Sequence, residues 1–183
     1  MPKVLVPLAD GCEELEAVTI IDLLRRAGIE VIAAGLQAGI VKASRGTQLM
    51  PDMTLDAALQ NEYDMVVLPG GMPGAKHLKE DARILNLLKK MAVEGKYTAA
   101  ICAAPTVLAE AGLLKGKKAT SYPGFLDKMA LPGMQYLAEP VVRDGKVLTS
   151  RGPGTAMDFA LALIEALSGR ATRDQVEAGL VRT

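Results

Sequence analysis

A cysteine at the end of an apolar segment is the first residue of this sequence that suggests covalent chemistry. Cys102 follows the strand-like run YTAAI (97–101) and precedes two alanines and Pro105, after which a helix-like run begins. Proline suits the first turn of a helix, so Cys102 is predicted to lie at a sharp strand-to-helix turn. The partial positive charge of a helix N-terminus favours the thiolate, which is a nucleophile. The alternative, a buried cysteine packed among alanines, stays open.

Three acidic residues offer a partner for that thiol. Glu13, Glu14 and Glu16 lie in ADGCEELE (9–16), directly after the first strand-like segment. Acids at this position stabilise a helix N-terminus, which accounts for any of them without a catalytic role. Glu16 borders the apolar stripe of the helix. If buried and uncharged, its carboxyl would hydrogen-bond a thiolate, whereas an ionised carboxylate would repel one.

Two glycine-rich turns are candidate binding loops. In LPGGMPG (68–74), the amides of Gly70 and Gly71 are candidates to hold a developing oxyanion. In SRGPGT (150–155), Arg151 is a candidate to hold a carboxylate, either in a ligand or in a partner subunit. Both turns are equally well explained as connectors to the helices that follow them.

Several functional classes are disfavoured by what the chain lacks. It contains neither GxGxxG nor GxxxxGK[ST], so a nucleotide cofactor is not expected. Two cysteines, Cys12 and Cys102, form no metal cluster. Independent thiols are favoured over the alternative of a regulatory disulfide between them. The only histidine, His77, is interpreted as a solvated helix residue, which disfavours a Cys–His hydrolase. The net charge is zero and no Lys/Arg cluster marks a nucleic-acid surface.

No membrane segment is predicted, because no apolar run approaches the roughly 20 residues that span a bilayer. The start of the sequence moves directly into a charged helix and does not resemble a signal peptide. A cytoplasmic protein is therefore expected.

Strand-like and helix-like segments alternate along the chain, which predicts a mostly parallel sheet with helices on both faces, in one domain over residues 1–183. Loops after the strands would then meet at one edge of the sheet. Residues 36–60 are less regular and are expected to hold short strands around SRG (44–46). The strand-like segments are 3–8, 29–35, 64–71 and 97–101, with a hairpin at 141–148 around Asp144 and Gly145. The helix-like segments are 13–28, 82–92, 105–114 and 155–169.

Five motifs occur together in one order: GCEELEA, SRG, VVLPGGMPGA, AAICAAP and LTSRGPGTAMDFAL. Their combination resembles the ThiJ/PfpI family over essentially the whole chain, above all its branch around the Parkinson-disease-associated protein and bacterial relatives. The resemblance implies a flavodoxin-like, three-layer α/β sandwich, similar to the class I glutamine amidotransferases, and a homodimer. It makes Cys102 the reactive cysteine on a nucleophile elbow and Glu16 its protonated partner. The candidate site residues are therefore Cys102, Glu16, Gly71 and Ala103 for catalysis, and Gly70, Arg45, Arg151 and Tyr122 for substrate binding.

The resemblance also implies an activity that needs neither a metal nor another cofactor. Family members are described as glutathione-independent glyoxalases and as deglycases that act on methylglyoxal, glyoxal and their early adducts on proteins. The alternative is a non-catalytic redox sensor or redox-regulated chaperone that uses the same cysteine. Some relatives carry histidine where this chain has Tyr122, so slow turnover is expected. Ala103 stands where the amidotransferase and protease branches place a histidine, which disfavours those activities.

Overall fold

A computed structural model describes residues 1–183. Eleven strands form a central seven-stranded sheet and two small two-stranded sheets. The strands are β1 (Lys3–Leu8), β2 (Glu30–Gly35), β3 (Val41–Lys42), β4 (Gln48–Leu49), β5 (Met53–Thr54), β6 (Met65–Leu68), β7 (Tyr97–Ile101), β8 (Lys118–Ala119), β9 (Gln135–Tyr136), β10 (Val141–Asp144) and β11 (Val147–Ser150).

The central sheet has the order β10-β11-β7-β6-β1-β2-β5. Every neighbouring pair in it is parallel except the hairpin of β10 and β11. This confirms the mostly parallel sheet and the hairpin around Gly145. The predicted short strands around SRG are also present, since β3 and β4 pair antiparallel on either side of it.

Seven helices cover the two faces of the sheet. They are α1 (Glu14–Arg26), α2 (Leu55–Ala58), α3 (Gly74–Glu80), α4 (Ala82–Val93), α5 (Pro105–Glu110), α6 (Ala156–Ser168) and α7 (Arg170–Gly179). Side chains alternate along a strand, so Val4 and Val6 join a core with α1, α6 and α7, while Leu5 joins a core with α2 to α5. The flavodoxin-like three-layer sandwich is therefore confirmed.

The structure differs from the sequence prediction at several element ends. The strand predicted over 64–71 ends at Leu68, because the following residues form the glycine turn. The helix predicted over 105–114 ends at Glu110, and Gly112 then adopts a φ of +78°. Helix α7 was not predicted, since its residues are mostly polar and only Val176 is buried.

Candidate active site

Cys102 occupies a strained turn between β7 and α5. Its φ angle is +65°, a left-handed conformation that non-glycine residues rarely adopt outside functional turns. Its N–H group donates to the carbonyl of Ser150 over 3.0 Å, and its own carbonyl accepts from the N–H group of Tyr122 over 2.9 Å. Two neighbouring segments thus hold the turn in place, and Pro105 begins the helix behind it. The predicted strand-to-helix turn is confirmed.

Glu16 is a completely buried carboxyl on the first turn of α1. Its Oε1 accepts a hydrogen bond from the Gly70 N–H group over 3.0 Å, while no partner reaches Oε2. Burial raises the pKa of Glu16 to about 7, although the Gly70 N–H group and the Cys102 thiol oppose the rise. The carboxyl therefore holds its proton well above the pH at which an exposed glutamate loses it.

The thiol of Cys102 is not acidic while Glu16 is ionised, contrary to the expectation from the sequence. Burial, and then the negative charge of Glu16, raise the pKa of Cys102 to about 12, against the N–H groups of Gly71 and Ala103. Because the two groups interact directly, they lose protons in two steps, and just above neutral pH they share about one proton. When that proton lies on Glu16, the repulsion disappears and the sulfur carries the charge.

Gly70 lies between the two groups and is the only residue type that fits there. A Cβ atom at position 70 would lie 2.5 Å from Cβ of Cys102 and 2.8 Å from Oε1 of Glu16. The Gly70 N–H group, which was expected to face an oxyanion, is used instead to orient Glu16. The N–H groups near the sulfur belong to Gly71 and Ala103.

Half-buried Cys102 faces a cleft with a volume of about 410 Å³. The cleft is lined by both polar and apolar side chains. The polar side chains are Glu13, Ser44 and Arg45, and the apolar ones are Met72, Tyr122, Phe125 and Pro153. Arg45 and Tyr122, two of the predicted substrate-binding residues, line the same cleft as Cys102.

The loop that carries Arg45 is fastened to the start of α1 by Glu14. The Glu14 carboxylate accepts from the N–H group of Arg45 over 2.9 Å and lies 3.1 Å from the hydroxyl of Ser44. Desolvation works against ionisation of Glu14, but these hydrogen bonds outweigh it and lower the pKa of the carboxyl. The guanidinium of Arg45 forms no ion pair and is exposed, so it is available to a ligand.

Arg151 lies outside this cleft, in an adjoining depression on the other side of Tyr122. Its guanidinium donates to the carbonyl of Ser121 over 3.4 Å and to the hydroxyl of Tyr136 over 3.3 Å. Arg151 therefore braces the segment that carries Tyr122. Among the other reactive side chains, His77 is exposed in a separate depression, and Cys12 is a buried free thiol.

Sequence reasoning did not identify Ser44, Met72, Phe125 and Pro153 as residues of the cleft. A usable signal existed for Phe125, because the chain has only two phenylalanines and four tyrosines, and this one follows a predicted site residue closely. No group of three or more His, Cys, Asp or Glu residues is arranged to bind a metal ion. No helix combines the length and apolar character that crossing a membrane requires.

A sequence profile of the DJ-1/PfpI family matches residues 2–166. The chain belongs to the DJ-1/PfpI family. Its fold agrees, because the crystal structure of Drosophila melanogaster DJ-1beta superposes with a TM-score of 0.95 at 43% identity, covering 100% of this chain and 98% of that one.

Two sequence relatives of this DJ-1/PfpI protein are informative. "Protein DJ-1 homolog B" of Arabidopsis thaliana is 47% identical over 171 residues, which is 92% of this chain but only 39% of that protein. This chain thus spans well under half of that longer relative. "Glutathione-independent glyoxalase DJR-1.2" of Caenorhabditis elegans is 39% identical over 166 residues, covering 91% of this chain and 88% of that protein.

Proposed function

We propose that this DJ-1/PfpI protein is a glutathione-independent glyoxalase and deglycase that acts on methylglyoxal, glyoxal and their early adducts on proteins. The observation that carries the proposal is the pairing of Cys102 with the buried carboxyl of Glu16 at the base of an open cleft. The glyoxalase name of the C. elegans relative supports the same reaction class.

The first step is attack by sulfur on the aldehyde carbon. The Cys102 thiolate forms a C–S bond, and the electron pair of the C=O bond moves onto oxygen. The N–H groups of Gly71 and Ala103, which lower the pKa of the Cys102 thiol, would stabilise this oxyanion. The oxyanion then takes the proton held by Glu16, which leaves a neutral hemithioacetal and a Glu16 carboxylate.

The second step moves a proton between the two carbons. The Glu16 carboxylate removes the proton from the carbon that bears sulfur, and an enediolate forms. Its hydroxyl proton passes from the oxygen on that carbon to the oxygen on the neighbouring carbon. Glu16 returns the proton to the neighbouring carbon, which gives a thioester and an alcohol. Water cleaves the thioester, frees the thiol and releases the 2-hydroxy acid. Overall, one carbon is oxidised and the other reduced, so methylglyoxal and water give lactate without an external oxidant.

The oligomeric state and the cell compartment belong to the same proposal. Leu15 and Val18 on α1 and Met157 on α6 are about half exposed, and their helices pack against each other. Covering this apolar face in a homodimer explains why it persists on the surface. A reducing cytoplasm agrees with the two free cysteines. A Val18→Asp variant that sediments exactly as the wild type does would contradict a dimer at this face.

A second candidate function is oxidant sensing or redox-regulated chaperone activity through Cys102. The specific observation in its favour is Oε2 of Glu16, a buried oxygen without a partner on a carboxyl that interacts with the Cys102 thiol. When protonated, the Glu16 carboxyl would donate a hydrogen bond to an oxygen of a sulfinic acid formed on Cys102. Intact mass after mild peroxide tests this directly. An absence of selective oxygen gain on Cys102 would exclude it.

The enzymatic proposal is tested by following methylglyoxal loss and lactate formation. Wild type is expected to exceed the uncatalysed rate, and Cys102→Ala and Glu16→Gln are expected to match that rate. Cys12→Ala is the matched control, since Cys12 is a buried thiol outside the cleft, and it should keep wild-type turnover. If the wild type is no faster than buffer, the enzyme proposal fails.

A further inference from the structure

We infer that the cleft selects 2-oxoaldehydes whose ketone carbon carries an aryl or other flat apolar group, with Phe125 and Tyr122 as the specificity-determining residues. This inference rests on the proposed function. It concerns which substrates the same cysteine prefers.

The cleft is much larger than a three-carbon aldehyde requires. Its volume is about 410 Å³, whereas a water molecule occupies about 30 Å³ in the liquid. Methylglyoxal, with five non-hydrogen atoms, therefore leaves most of the space filled with solvent. Pockets of roughly 300–1,000 Å³ generally bind ligands of larger size, with apolar walls and a few polar groups.

The apolar wall of the cleft is made by an aromatic pair. The rings of Tyr122 and Phe125 meet edge to face, with centroids 6.4 Å apart and planes at 78°. Tyr122 is 48% exposed. The chain has only two phenylalanines and four tyrosines. Placing two of these rings beside the reactive sulfur provides a surface for a flat apolar group.

The aromatic pair has a fixed position relative to the sulfur. The Tyr122 N–H group donates to the Cys102 carbonyl over 2.9 Å, so the two residues are joined directly. The Tyr122 ring packs on Gly152, where an added Cβ atom would lie 3.2 Å from Cδ2 of the ring. Phe125 is held through its neighbour, because the Leu126 N–H group donates to the Ser121 hydroxyl over 3.0 Å. A preorganised wall of this kind discriminates between substrates without first having to be ordered.

The polar groups of the cleft fix the direction in which a substrate binds. The N–H groups of Gly71 and Ala103 lie at the sulfur and attract the aldehyde oxygen. Arg45 also lines the cleft. Its free guanidinium would bind the carboxylate of a 2-hydroxy acid product. The remaining substituent is therefore directed to the aromatic wall, where a phenyl group buries more apolar area than a methyl group.

The test compares phenylglyoxal with methylglyoxal through the ratio of their kcat/KM values, measured as initial rates. Wild type is expected to favour phenylglyoxal by about tenfold or more, the range that apolar pocket contacts supply. Phe125→Ala should lower this ratio about tenfold, and Phe125→Leu should restore part of it. Met129→Ala is the matched control, because Met129 lies in the same segment outside the cleft, and it should leave the ratio unchanged.

A second readout does not depend on turnover. Mandelate, the product from phenylglyoxal, should protect Cys102 from iodoacetamide at lower concentration than lactate does. Phe125→Ala should abolish that difference. Because Phe125 also packs against the core that Leu5 shares with helices α2 to α5, Phe125→Leu, which keeps most of the apolar volume, is the variant expected to keep a thermal midpoint of unfolding close to that of the wild type.

Failure of the inference and failure of the proposed function give different results. Turnover of methylglyoxal with a substrate ratio near one, or a ratio that Phe125→Ala does not change, overturns the inference and leaves the glyoxalase proposal standing. No turnover of either aldehyde, together with selective protection by mandelate, overturns the glyoxalase proposal and supports the aromatic preference of the cleft. No turnover and no selective protection overturn both.

Discussion

The carboxyl of Glu16 and the thiol of Cys102 occupy one buried corner in which only the backbone of Gly70 fits between them. The N–H group of Gly70 binds one oxygen of Glu16, and the other oxygen has no partner. This arrangement ties the position of the carboxyl to the turn after β6, and it leaves an acidic proton available to the sulfur.

The first prediction concerns Gly70→Ala. The added methyl group would lie 2.5 Å from Cβ of Cys102, 2.7 Å from the Ile101 carbonyl oxygen and 2.8 Å from Oε1 of Glu16. The first two atoms belong to, or are attached directly to, the backbone, so they cannot move away as the end of a flexible side chain could. We expect the free energy of unfolding to fall by about 1–3 kcal/mol, as in other overpacked sites. Displacement of Glu16 from the sulfur should also lower kcat/KM about a hundredfold.

Gly179→Ala is the matched control for this substitution. A Cβ atom at Gly179 meets nothing within 4 Å, and the residue lies at the end of α7 far along the chain from the cleft. Its activity should equal that of the wild type. Urea denaturation measures the loss of stability of Gly70→Ala, and methylglyoxal kinetics measure its loss of kcat/KM. A Gly70→Ala protein that is as active and as stable as the wild type would contradict the absence of space for a Cβ atom at this position.

The second prediction concerns the pH dependence of stability. Burial raises the pKa of Glu16 from its ordinary value of 4.5 to about 7, and this is the first proton that the pair of Glu16 and Cys102 loses. The folded protein therefore binds this proton more tightly than the unfolded chain does, whichever of the two groups keeps the second proton. The free energy of unfolding should therefore fall as the pH rises from about 4.5 to about 7. The full effect is about 3 kcal/mol, at about 1.4 kcal/mol for each tenfold change in proton affinity.

Glu16→Gln removes the titrating group while it keeps the shape of the side chain. The free energy of unfolding of Glu16→Gln should therefore not fall in this way as the pH rises. Between pH 4.5 and pH 7.5 the wild type is expected to lose about 3 kcal/mol of stability relative to the variant. Urea midpoints of both proteins across this range provide the measurement. A wild-type curve parallel to that of the variant would show that Glu16 is not buried in its protonated form.

Much of this site was predictable because its parts are local. The strand, the small residues after Cys102 and the proline at the start of α5 lie within a few positions, so their pattern predicts the turn. The burial of Glu16 also follows from its place beside the apolar stripe of α1. The order of the strands explains why these two segments meet, and a mostly parallel sheet brings such loops to one edge.

Other parts of the site were not predictable, because they depend on contacts between distant segments. Nothing near Gly70 in the sequence shows that its N–H group binds Glu16 and not an oxyanion. The acidity of Cys102 depends on where a shared proton lies, which residue patterns do not encode. Arg151 was placed at the cleft, but Ser121 and Tyr136 draw its guanidinium into a neighbouring depression.

The third prediction concerns Tyr122→His. Tyr122 lines the cleft with Cys102, at the position where the resemblance to the family implies a histidine in some relatives. General acid–base catalysis by an imidazole typically contributes 10²–10⁴-fold, so we expect kcat for methylglyoxal to rise at least about tenfold. The gain should appear as the pH passes about 6.5, the ordinary pKa of histidine.

Tyr122→Phe separates the gain of an imidazole from the loss of the phenol hydroxyl. The pH–rate profiles of both variants and of the wild type give the comparison. If Tyr122→His is no faster than Tyr122→Phe, then the missing imidazole does not limit turnover in this protein.

Titration of Cys102 by the ultraviolet absorbance of its thiolate, in a Cys12→Ala background, tests the central claim most directly. If the shared proton lies on Glu16, thiolate absorbance should appear near neutral pH, and Glu16→Gln should raise the pKa of the thiol because the acidic O–H donor is lost. If the sulfur keeps the proton and Glu16 the charge, absorbance should appear only near pH 12, and Glu16→Gln should lower that pKa by removing the repulsion. The first result is expected, and the second would contradict the proposed chemistry.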